Sequence, residues 1–210
     1  MTVLILAGGE LTVSKFLKTC AQECDFVIAA DSGIKHASDL GVTPDLIVGD
    51  FDSAAKRDLN LFPNVARETH PEDKNLLDLE LALERAISKE ASDIILMGVT
   101  GSRLDQSLAA ILIAARYKQK GTPISVHTGK QSLHMLMNET KTLELTPGTL
   151  FSLLSLTTQS TLSAKGAFYP LERFELEFGV GLGVSNRVKA SQLSITVYEG
   201  LMIMIVEHKA

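Results

Sequence analysis

The feature that most constrains the fold of this chain is an alternation of short apolar runs with amphipathic segments over the first 128 residues. The apolar runs are typical of strands buried on both faces, and the segments between them repeat their apolar residues at helical spacing. Strands that alternate with helices in this way favour a mostly parallel sheet with helices on both faces. We therefore predict an α/β, Rossmann-like fold here, with strands in TVLILAGG, DFVIAAD, DLIVGDFD, DIILMGVTG and PISVHTG.

From about residue 130 the pattern changes to short runs that alternate apolar and polar residues. In SQLSITVYEG, for example, Leu193, Ile195 and Val197 fall on one face of an extended chain. Glycine and proline separate these runs, as is typical of antiparallel strands in a sandwich. The sequence thus predicts two domains, an α/β domain over residues 1–129 and a smaller antiparallel β-sandwich domain over residues 130–210.

Charge and composition argue against several classes of protein. The formal net charge is −5, whereas nucleic-acid-binding surfaces usually carry a basic stripe, so we expect no nucleic-acid partner. No apolar stretch reaches the roughly 20 residues of a membrane span, and the first apolar run is too short for a signal peptide. Cys20 and Cys24 have no second Cys or His pair nearby, which favours reduced intracellular thiols. We expect a cytoplasmic protein without membrane attachment.

Carboxylates follow several predicted strands, at the edge of the sheet where ligands of open α/β folds bind. Asp50 and Asp52 lie two residues apart and point the same way if the chain is extended. Two negative charges about 4 Å apart repel by roughly 4 kcal/mol at an effective dielectric constant near 20. A hard cation such as Mg²⁺ would turn this repulsion into binding energy. Arg103 follows a later strand, where its planar fork would suit a phosphate.

These residues also have simpler interpretations. A carboxylate directly before a helical pattern is a common N-cap, and a carboxylate pair can belong to a polar turn. The glycines at 8 and 9 can form a tight turn, since neither a G-x-G-x-x-G nor a Walker A loop accompanies them. We favour a site because independent caps have no reason to collect at one end of a sheet. The capping interpretation applies to Asp31, Asp78 and Asp105, and the turn interpretation to Asp50 and Asp52, with Ser53 capping the next helix.

Six blocks of the sequence together form a recognisable series: AADSG (29–33), PDLIVGDFDS (44–53), DLELAL (78–83), GVTGSRLDQSLAAI (98–111), KGAFYPL (165–171) and GVGLGVSN (179–186). They resemble the signature segments of the thiamine pyrophosphokinase family, in the family's order. This resemblance implies an α/β nucleotide-binding domain, a β-sandwich domain and a homodimer with active sites between subunits. It also implies Mg²⁺-dependent transfer of a pyrophosphoryl group from ATP to the hydroxyl of thiamine, with release of AMP.

The resemblance also implies roles for individual residues, matched position by position. The implied magnesium ligands are Asp50, Asp52 and Asp78, which are also catalytic together with Arg103 and Asp105. The implied nucleotide-binding residues are Asp31, Ser32, Gly33, Lys74, Asn75, Ser102, Arg103 and Gln106. The implied thiamine-binding residues, contributed by the partner subunit, are Tyr169, Ser185 and Asn186. Without the resemblance, Tyr169 reads as a strand-edge aromatic that covers the sandwich, and Ser185–Asn186 as a polar turn.

One block departs from the family pattern. The family usually has K-D-x-T-D where this chain has KNLLD at residues 74–78, so Asn75 replaces a carboxylate and Leu77 replaces a hydroxyl. Asn75 still offers a carbonyl oxygen, whereas Leu77 offers no polar group. This departure leaves open a catalytically impaired protein that binds thiamine or a nucleotide. A second alternative to a kinase, independent of the departure, is a metal-dependent phosphohydrolase that uses the same acidic edge.

Overall fold

The structure is a computed structural model that describes residues 1–50, 55–69 and 77–208 of the chain. The chain divides into two compact units. The first unit comprises Met1–Ile113 and Thr122–Gly129, and the second comprises Ala114–Gly121 and Lys130–Ala210. None of the described helices is long and apolar enough to cross a membrane.

The first unit contains a parallel sheet whose strands lie in the order β6-β5-β1-β2-β3-β4. These strands are β1 (Thr2–Leu6), β2 (Phe26–Ala30), β3 (Leu46–Gly49), β4 (Ala66–Thr69), β5 (Asp93–Met97) and β6 (Ile124–His127). The helices of the chain are α1 (Lys15–Gln22), α2 (Lys35–Leu40), α3 (Lys56–Leu61), α4 (Asp78–Ser88) and α5 (Leu104–Gln119), and a short 3₁₀ helix (Asp31–Ile34) follows β2.

Helices cover both faces of this sheet. Helix α1 begins after Ser14, whose side chain accepts a hydrogen bond from the Leu17 N–H at 3.2 Å. Leu17 and other residues of α1 and α2 pack against one face of the sheet. Leu4 of β1 lies on this face. Because side chains alternate along a strand, Ile5 points to the other face, where α4 contacts β1, β2 and β3. The predicted α/β fold with helices on both faces is confirmed.

The second unit contains two antiparallel sheets, with strand orders β12-β9-β14-β7 and β11-β10-β13-β8. One apolar core includes buried residues from both sheets, among them Phe151 of β9, Leu162 of β10 and Ile195 of β13. The predicted antiparallel β-sandwich is therefore confirmed. Its strands are β7 (Gln131–Met137), β8 (Thr140–Glu144), β9 (Leu150–Ser155), β10 (Gln159–Lys165), β11 (Leu171–Glu177), β12 (Asn186–Arg187), β13 (Gln192–Glu199) and β14 (Leu201–Glu207).

Several elements are absent from the sequence prediction. Strand β4 lies at the edge of the parallel sheet and its residues are mostly exposed, so its ARET sequence carries no apolar signal. Helix α3 is only six residues long, too short to show a repeating apolar face. Strands β7 and β10 also do not correspond to any predicted strand, because polar residues within them interrupt the apolar pattern.

Candidate active site

A cavity of about 530 Å³ lies at the carboxyl ends of β1, β2 and β5. Its walls are formed mainly by the turns that follow these strands, at residues 7–10, 30–32 and 98–103. The starts of α2 and α4 and the first turns of α5 also contribute to the described lining. This position is where open α/β sheets bind ligands, and the volume lies within the range of small-molecule sites.

Backbone hydrogen bonds join the turn after β1 to the turn after β5. The Gly9 N–H donates to the Gly98 carbonyl at 2.6 Å, and the Glu10 N–H donates to the Thr100 carbonyl at 2.7 Å. The Glu10 carboxylate accepts a hydrogen bond from the Ser102 N–H at 2.9 Å. These bonds hold the two turns at a fixed separation on one side of the cavity.

Two glycines permit the close backbone approaches around the cavity. A Cβ atom on Gly33 would lie 2.0 Å from the Leu6 carbonyl oxygen, so only glycine allows the 3₁₀ helix to lie this close to β1. Gly98 has a φ of +69°, and a Cβ there would lie 2.3 Å from the Ala7 carbonyl oxygen. Gly33 is buried and lies outside the cavity lining, so its observed role is this approach of backbone to backbone.

Two of the three carboxylates in the described cavity lining are those of Asp31 and Asp78, and the third is that of Glu10. Asp31 directly follows β2 with a φ of +45°, a left-handed conformation that is uncommon outside glycine and is often found at functional sites. Asp78 is the first residue of α4. The N-cap positions before these residues are occupied by Ala30 and Leu77. The N-cap interpretation is therefore wrong for Asp31 and Asp78.

The other predicted magnesium ligands are Asp50 and Asp52. Asp50 follows β3 and is not part of the cavity lining, although a Cβ on Gly49 would lie 3.0 Å from the Asp31 Cβ. Asp52, Lys74 and Asn75 lie outside the described residues, as does Ser53. Within the described ranges, no group of three or more acidic, His or Cys side chains is placed to hold a metal ion. The carboxylate oxygens of the two cavity aspartates are nonetheless the donor type that Mg²⁺ prefers.

Arg103 and Asp105 form a two-point ion pair at the start of α5. The guanidinium donates from Nε to Asp105 Oδ1 at 2.9 Å and from Nη2 to Oδ2 at 2.6 Å. Both side chains are exposed. The hydrogen bonds from Arg103 lower the pKa of the Asp105 carboxyl to about 2, and the same contact raises the pKa of Arg103. Arg103 and Gln106 line the cavity, whereas Asp105 lies outside the lining.

Two charged residues of the cavity wall were not predicted from the sequence. Glu10 reaches the site through its contact with Ser102, which is 92 residues away along the chain. Lys35 is the first residue of α2, and its ammonium donates a hydrogen bond to the Gly8 carbonyl at 2.5 Å. A sequence signal exists for Lys35, because it lies one helical turn after Asp31 in the AADSGIK segment.

In the second unit, Tyr169 is 65 % exposed beside Phe168, with an edge-to-face ring distance of 5.2 Å. The strand-edge interpretation of Tyr169, as a cover for the sandwich, is therefore wrong. Asn186 is buried, and both ends of its side-chain amide form hydrogen bonds with the backbone of Tyr169. Its Oδ1 accepts from the Tyr169 N–H at 3.2 Å and its Nδ2 donates to the Tyr169 carbonyl at 2.9 Å. Ser185 is exposed, with a φ of +62°, and its N–H donates to Ser152 Oγ.

The two cysteines, Cys20 and Cys24, are not in disulfides and lie away from the cavity lining. Burial raises the pKa of the Cys20 thiol to about 11 and that of the Cys24 thiol to about 12. Both thiols are therefore protonated at neutral pH and are poor nucleophiles.

Family models match both parts of the chain. A model described as "Thiamin pyrophosphokinase, catalytic domain" matches residues 17–126, and one described as "Thiamin pyrophosphokinase, vitamin B1 binding domain" matches residues 138–202. The chain is 28% identical over 210 residues to a thiamine pyrophosphokinase of Bacillus subtilis, covering 97% of each protein. It is 24% identical over 224 residues to Thiamin pyrophosphokinase 1 of Caenorhabditis elegans, covering 97% of this chain and 88% of that protein.

Solved structures share this fold at low sequence identity. The crystal structure of thiamine pyrophosphokinase from Bacillus subtilis matches with a TM-score of 0.86 at 24% identity, covering 100% of each chain. Thiamin pyrophosphokinase from Candida albicans matches with a TM-score of 0.81 at 15% identity, covering 99% of this chain and 89% of that one. The arrangement of a parallel α/β unit followed by a β-sandwich is thus shared by bacterial and fungal proteins.

Proposed function

The chain belongs to the thiamin pyrophosphokinase family, and from that premise we propose that it transfers the pyrophosphoryl group of ATP to the hydroxyl of thiamine. The products are thiamine diphosphate and AMP. One observation carries the proposal: a single cavity collects Asp31, Asp78 and Arg103, which lie in three separate parts of the segment matched by the catalytic-domain model. Carboxylates beside a guanidinium suit a polyphosphate that arrives with a divalent cation.

The two substrates are assigned to different domains. Residues 1–129 bind ATP, with Arg103 on its phosphates and polar contacts from other residues of the predicted nucleotide set. Residues 130–210 bind thiamine, with Tyr169 against the thiazolium ring. A flat organic cation gains roughly 0.5–2 kcal/mol from an aromatic face. The other nucleotide-binding residues of the proposal are Asp31, Ser32, Lys74, Asn75, Ser102 and Gln106, and Gly33 supports them by allowing the close approach of the 3₁₀ helix to β1.

Asp50, Asp52 and Asp78 are the proposed magnesium ligands. The chemistry of the donor set supports this assignment, because the carboxylate of Asp78 lines the cavity and all three residues offer oxygen atoms. Mg²⁺ held by these carboxylates would neutralise charge on the transferring group, as in other phosphoryl transfers. Asn75 offers an amide oxygen where the family usually has a carboxylate, so the site carries one negative charge fewer than the family pattern.

The reaction is an in-line displacement in which positioning and charge neutralisation supply most of the acceleration. The hydroxyl oxygen of thiamine forms a bond to the β-phosphorus, and the bond from that phosphorus to the oxygen of the α-phosphate breaks. A carboxylate accepts the hydroxyl proton. Asp105 is poorly suited to this role because Arg103 holds its pKa near 2, far below the pH at which a general base works well. We therefore assign the orientation of Arg103 to Asp105, and the proton to a cavity carboxylate outside the proposed magnesium ligands.

The proposal includes a homodimer in the cytoplasm, with active sites between subunits. In that arrangement Tyr169 and Ser185 contact thiamine that is bound opposite the partner subunit's ATP. Asn186 then supports the site through the backbone of Tyr169, since both ends of its amide are used by that residue.

An assay of AMP formation tests the proposed function. The full chain is incubated with ATP and Mg²⁺, with and without thiamine, and AMP and thiamine diphosphate are quantified by liquid chromatography. We expect AMP and thiamine diphosphate in equal amounts, and only when thiamine is present. Phosphate release that does not require thiamine would instead indicate a phosphohydrolase. Binding of ATP or thiamine without any product would indicate a catalytically impaired family member.

A further inference from the structure

We propose that Lys35 binds the phosphates of the nucleotide, as a second cationic residue of the cavity beside Arg103. This inference rests on the proposed function, since it concerns the ATP site. Lys35 lies in no group that the sequence resemblance singles out, and it enters the cavity from the first turn of α2.

The geometry holds the Lys35 ammonium at the cavity wall. Its Nζ donates a hydrogen bond to the Gly8 carbonyl at 2.5 Å, and Gly8 itself lines the cavity. An ammonium has three N–H donors, so two remain for a ligand when one is bound to Gly8. The Gly8 contact also restricts a side chain that would otherwise move freely, which lowers the entropy cost of binding an anion.

The net charge of the cavity wall favours a second cationic side chain, in addition to Arg103, for binding phosphates. The described lining carries three acidic side chains, Glu10, Asp31 and Asp78, and two basic ones, Lys35 and Arg103. Two N–H donors of Arg103 are already hydrogen-bonded to the Asp105 carboxylate. A polyphosphate that enters would therefore meet a described wall of net negative charge. Lys35 forms no ion pair within the described part of the chain, and its ammonium binds a backbone carbonyl instead.

The energetics of a charge-assisted hydrogen bond set the expected effect. Hydrogen bonds to charged groups contribute more than neutral ones, and lysine binds phosphate as a point charge. Loss of one such contact corresponds to about a tenfold rise in the dissociation constant of ATP. The nucleoside part of the ligand does not take part in this contact, so the affinity for adenosine should depend little on Lys35.

Isothermal titration calorimetry on the full chain tests the assignment, with ATP and adenosine as the two probes in the presence of Mg²⁺. The variants are Lys35→Gln and Lys35→Arg, and the matched control is Lys18→Gln, which removes the same charge from an exposed position of α1 outside the cavity. We expect Lys35→Gln to weaken ATP binding about tenfold, with Lys35→Arg recovering most of this loss and Lys18→Gln behaving as the wild type.

Two results would overturn the role of Lys35. One is a Lys35→Gln variant that binds ATP as tightly as Lys18→Gln does. The other is an equal loss of affinity for ATP and for adenosine, which would indicate a change in the fold of the cavity instead of a lost phosphate contact. Wild-type protein that binds no ATP would refute both this assignment and the proposed function. Wild-type protein that binds ATP with the expected dependence on Lys35, but forms no AMP with thiamine, would refute the proposed function alone.

Discussion

Polar side chains line a concave cavity in the first unit, whereas in the second unit the aromatic side chains Phe168 and Tyr169 stand on an exposed turn. The cavity is built by several turns whose backbones bond to one another across the ends of parallel strands. The exposed turn is held instead by one buried amide, that of Asn186. The comparison indicates two roles for polar side chains. Some face a cavity that can hold a ligand, whereas Asn186 holds the backbone of a neighbouring residue in place.

The same comparison explains what each of the two regions presents to a ligand. In the cavity, Asp31 and Asp78 point from the ends of elements whose N-caps are provided by other residues. In the second unit, the amide of Asn186 is already used, so the apolar and aromatic surface of Tyr169 is what a ligand would meet. We therefore expect substitutions in the cavity to affect turnover and substitutions at the aromatic turn to affect thiamine affinity.

The largest effect is expected for Asp78→Asn. Removal of a charged group that stabilises the transition state lowers turnover by about 10²-fold or more. Steady-state measurement of AMP formation at saturating ATP and thiamine checks this. Glu84→Gln is the matched control, because it removes a carboxylate from an exposed position of the same helix. Equal turnover for Asp78→Asn and Glu84→Gln would contradict a role for the Asp78 carboxylate in the reaction.

The next effect is expected for Tyr169→Ala. Loss of an aromatic face against a cation raises the KM for thiamine by about tenfold and leaves the KM for ATP within twofold. Initial rates at varied thiamine and fixed ATP measure this separation. Phe178→Ala serves as the control, because Phe178 is equally exposed in the same unit and lies in no proposed site. A similar rise in both variants would show that the loss is not specific to Tyr169.

Asn186→Ala separates direct contact from support of the turn. If Asn186 acts through the backbone of Tyr169, this variant raises the KM for thiamine, and the double variant with Tyr169→Ala is no worse than Tyr169→Ala alone. It also lowers the free energy of unfolding by about 1–3 kcal/mol, because backbone groups of Tyr169 lose their partners. Effects on KM that add fully in the double variant would show that Asn186 contacts thiamine independently of Tyr169.

Leu77→Thr is expected to increase stability. Leu77 occupies the N-cap of α4 in an extended conformation, and Glu80 already accepts a hydrogen bond from its N–H at 3.3 Å. A threonine here completes a capping box and raises the free energy of unfolding by about 1 kcal/mol in urea titrations. Leu61→Thr also removes an exposed leucine, but it lies at the end of a helix and should give no gain. Equal stability of the two variants would rule out capping as the cause.

The smallest effect concerns the exposed Arg103–Asp105 pair. Arg103→Met should raise the pKa of Asp105 from about 2 to its ordinary value near 4, as measured by NMR titration of the carboxyl carbon. Because the folded-state pKa is depressed, the pair stabilises the fold above about pH 4, and this contribution is lost as the pH falls toward 2. Arg57→Met, which removes an exposed arginine from a second ion pair, should leave the pKa of Asp105 unchanged.

The sequence predicts the parts of the fold that are determined by burial. Strands such as β3 and β6 are buried along their whole length, so their apolar runs stand out. Strand β4 was missed because an edge strand needs no continuous apolar run, and its pairing with β3 is decided by the sheet. The periodicity of β13 places Leu193, Ile195 and Val197 in the core, as predicted.

For the cavity, the sequence predicts the grouping of residues only where they are close together along the chain. Ser102, Arg103 and Gln106 lie in one block, so their grouping follows from the chain itself. Glu10 joins them through a contact between distant segments, which no local pattern encodes. The bonding of Asn186 to Tyr169 has the same origin, since it depends on how the two turns approach after folding.

The most direct test of the account follows each phosphorus atom of ATP through the reaction. ATP labelled at the γ-phosphorus or at the α-phosphorus is incubated with the protein, Mg²⁺ and thiamine, and the labelled products are separated. The account predicts that the γ label appears in thiamine diphosphate and the α label in AMP. Recovery of the γ label as inorganic phosphate, with no label in a thiamine ester, would contradict it.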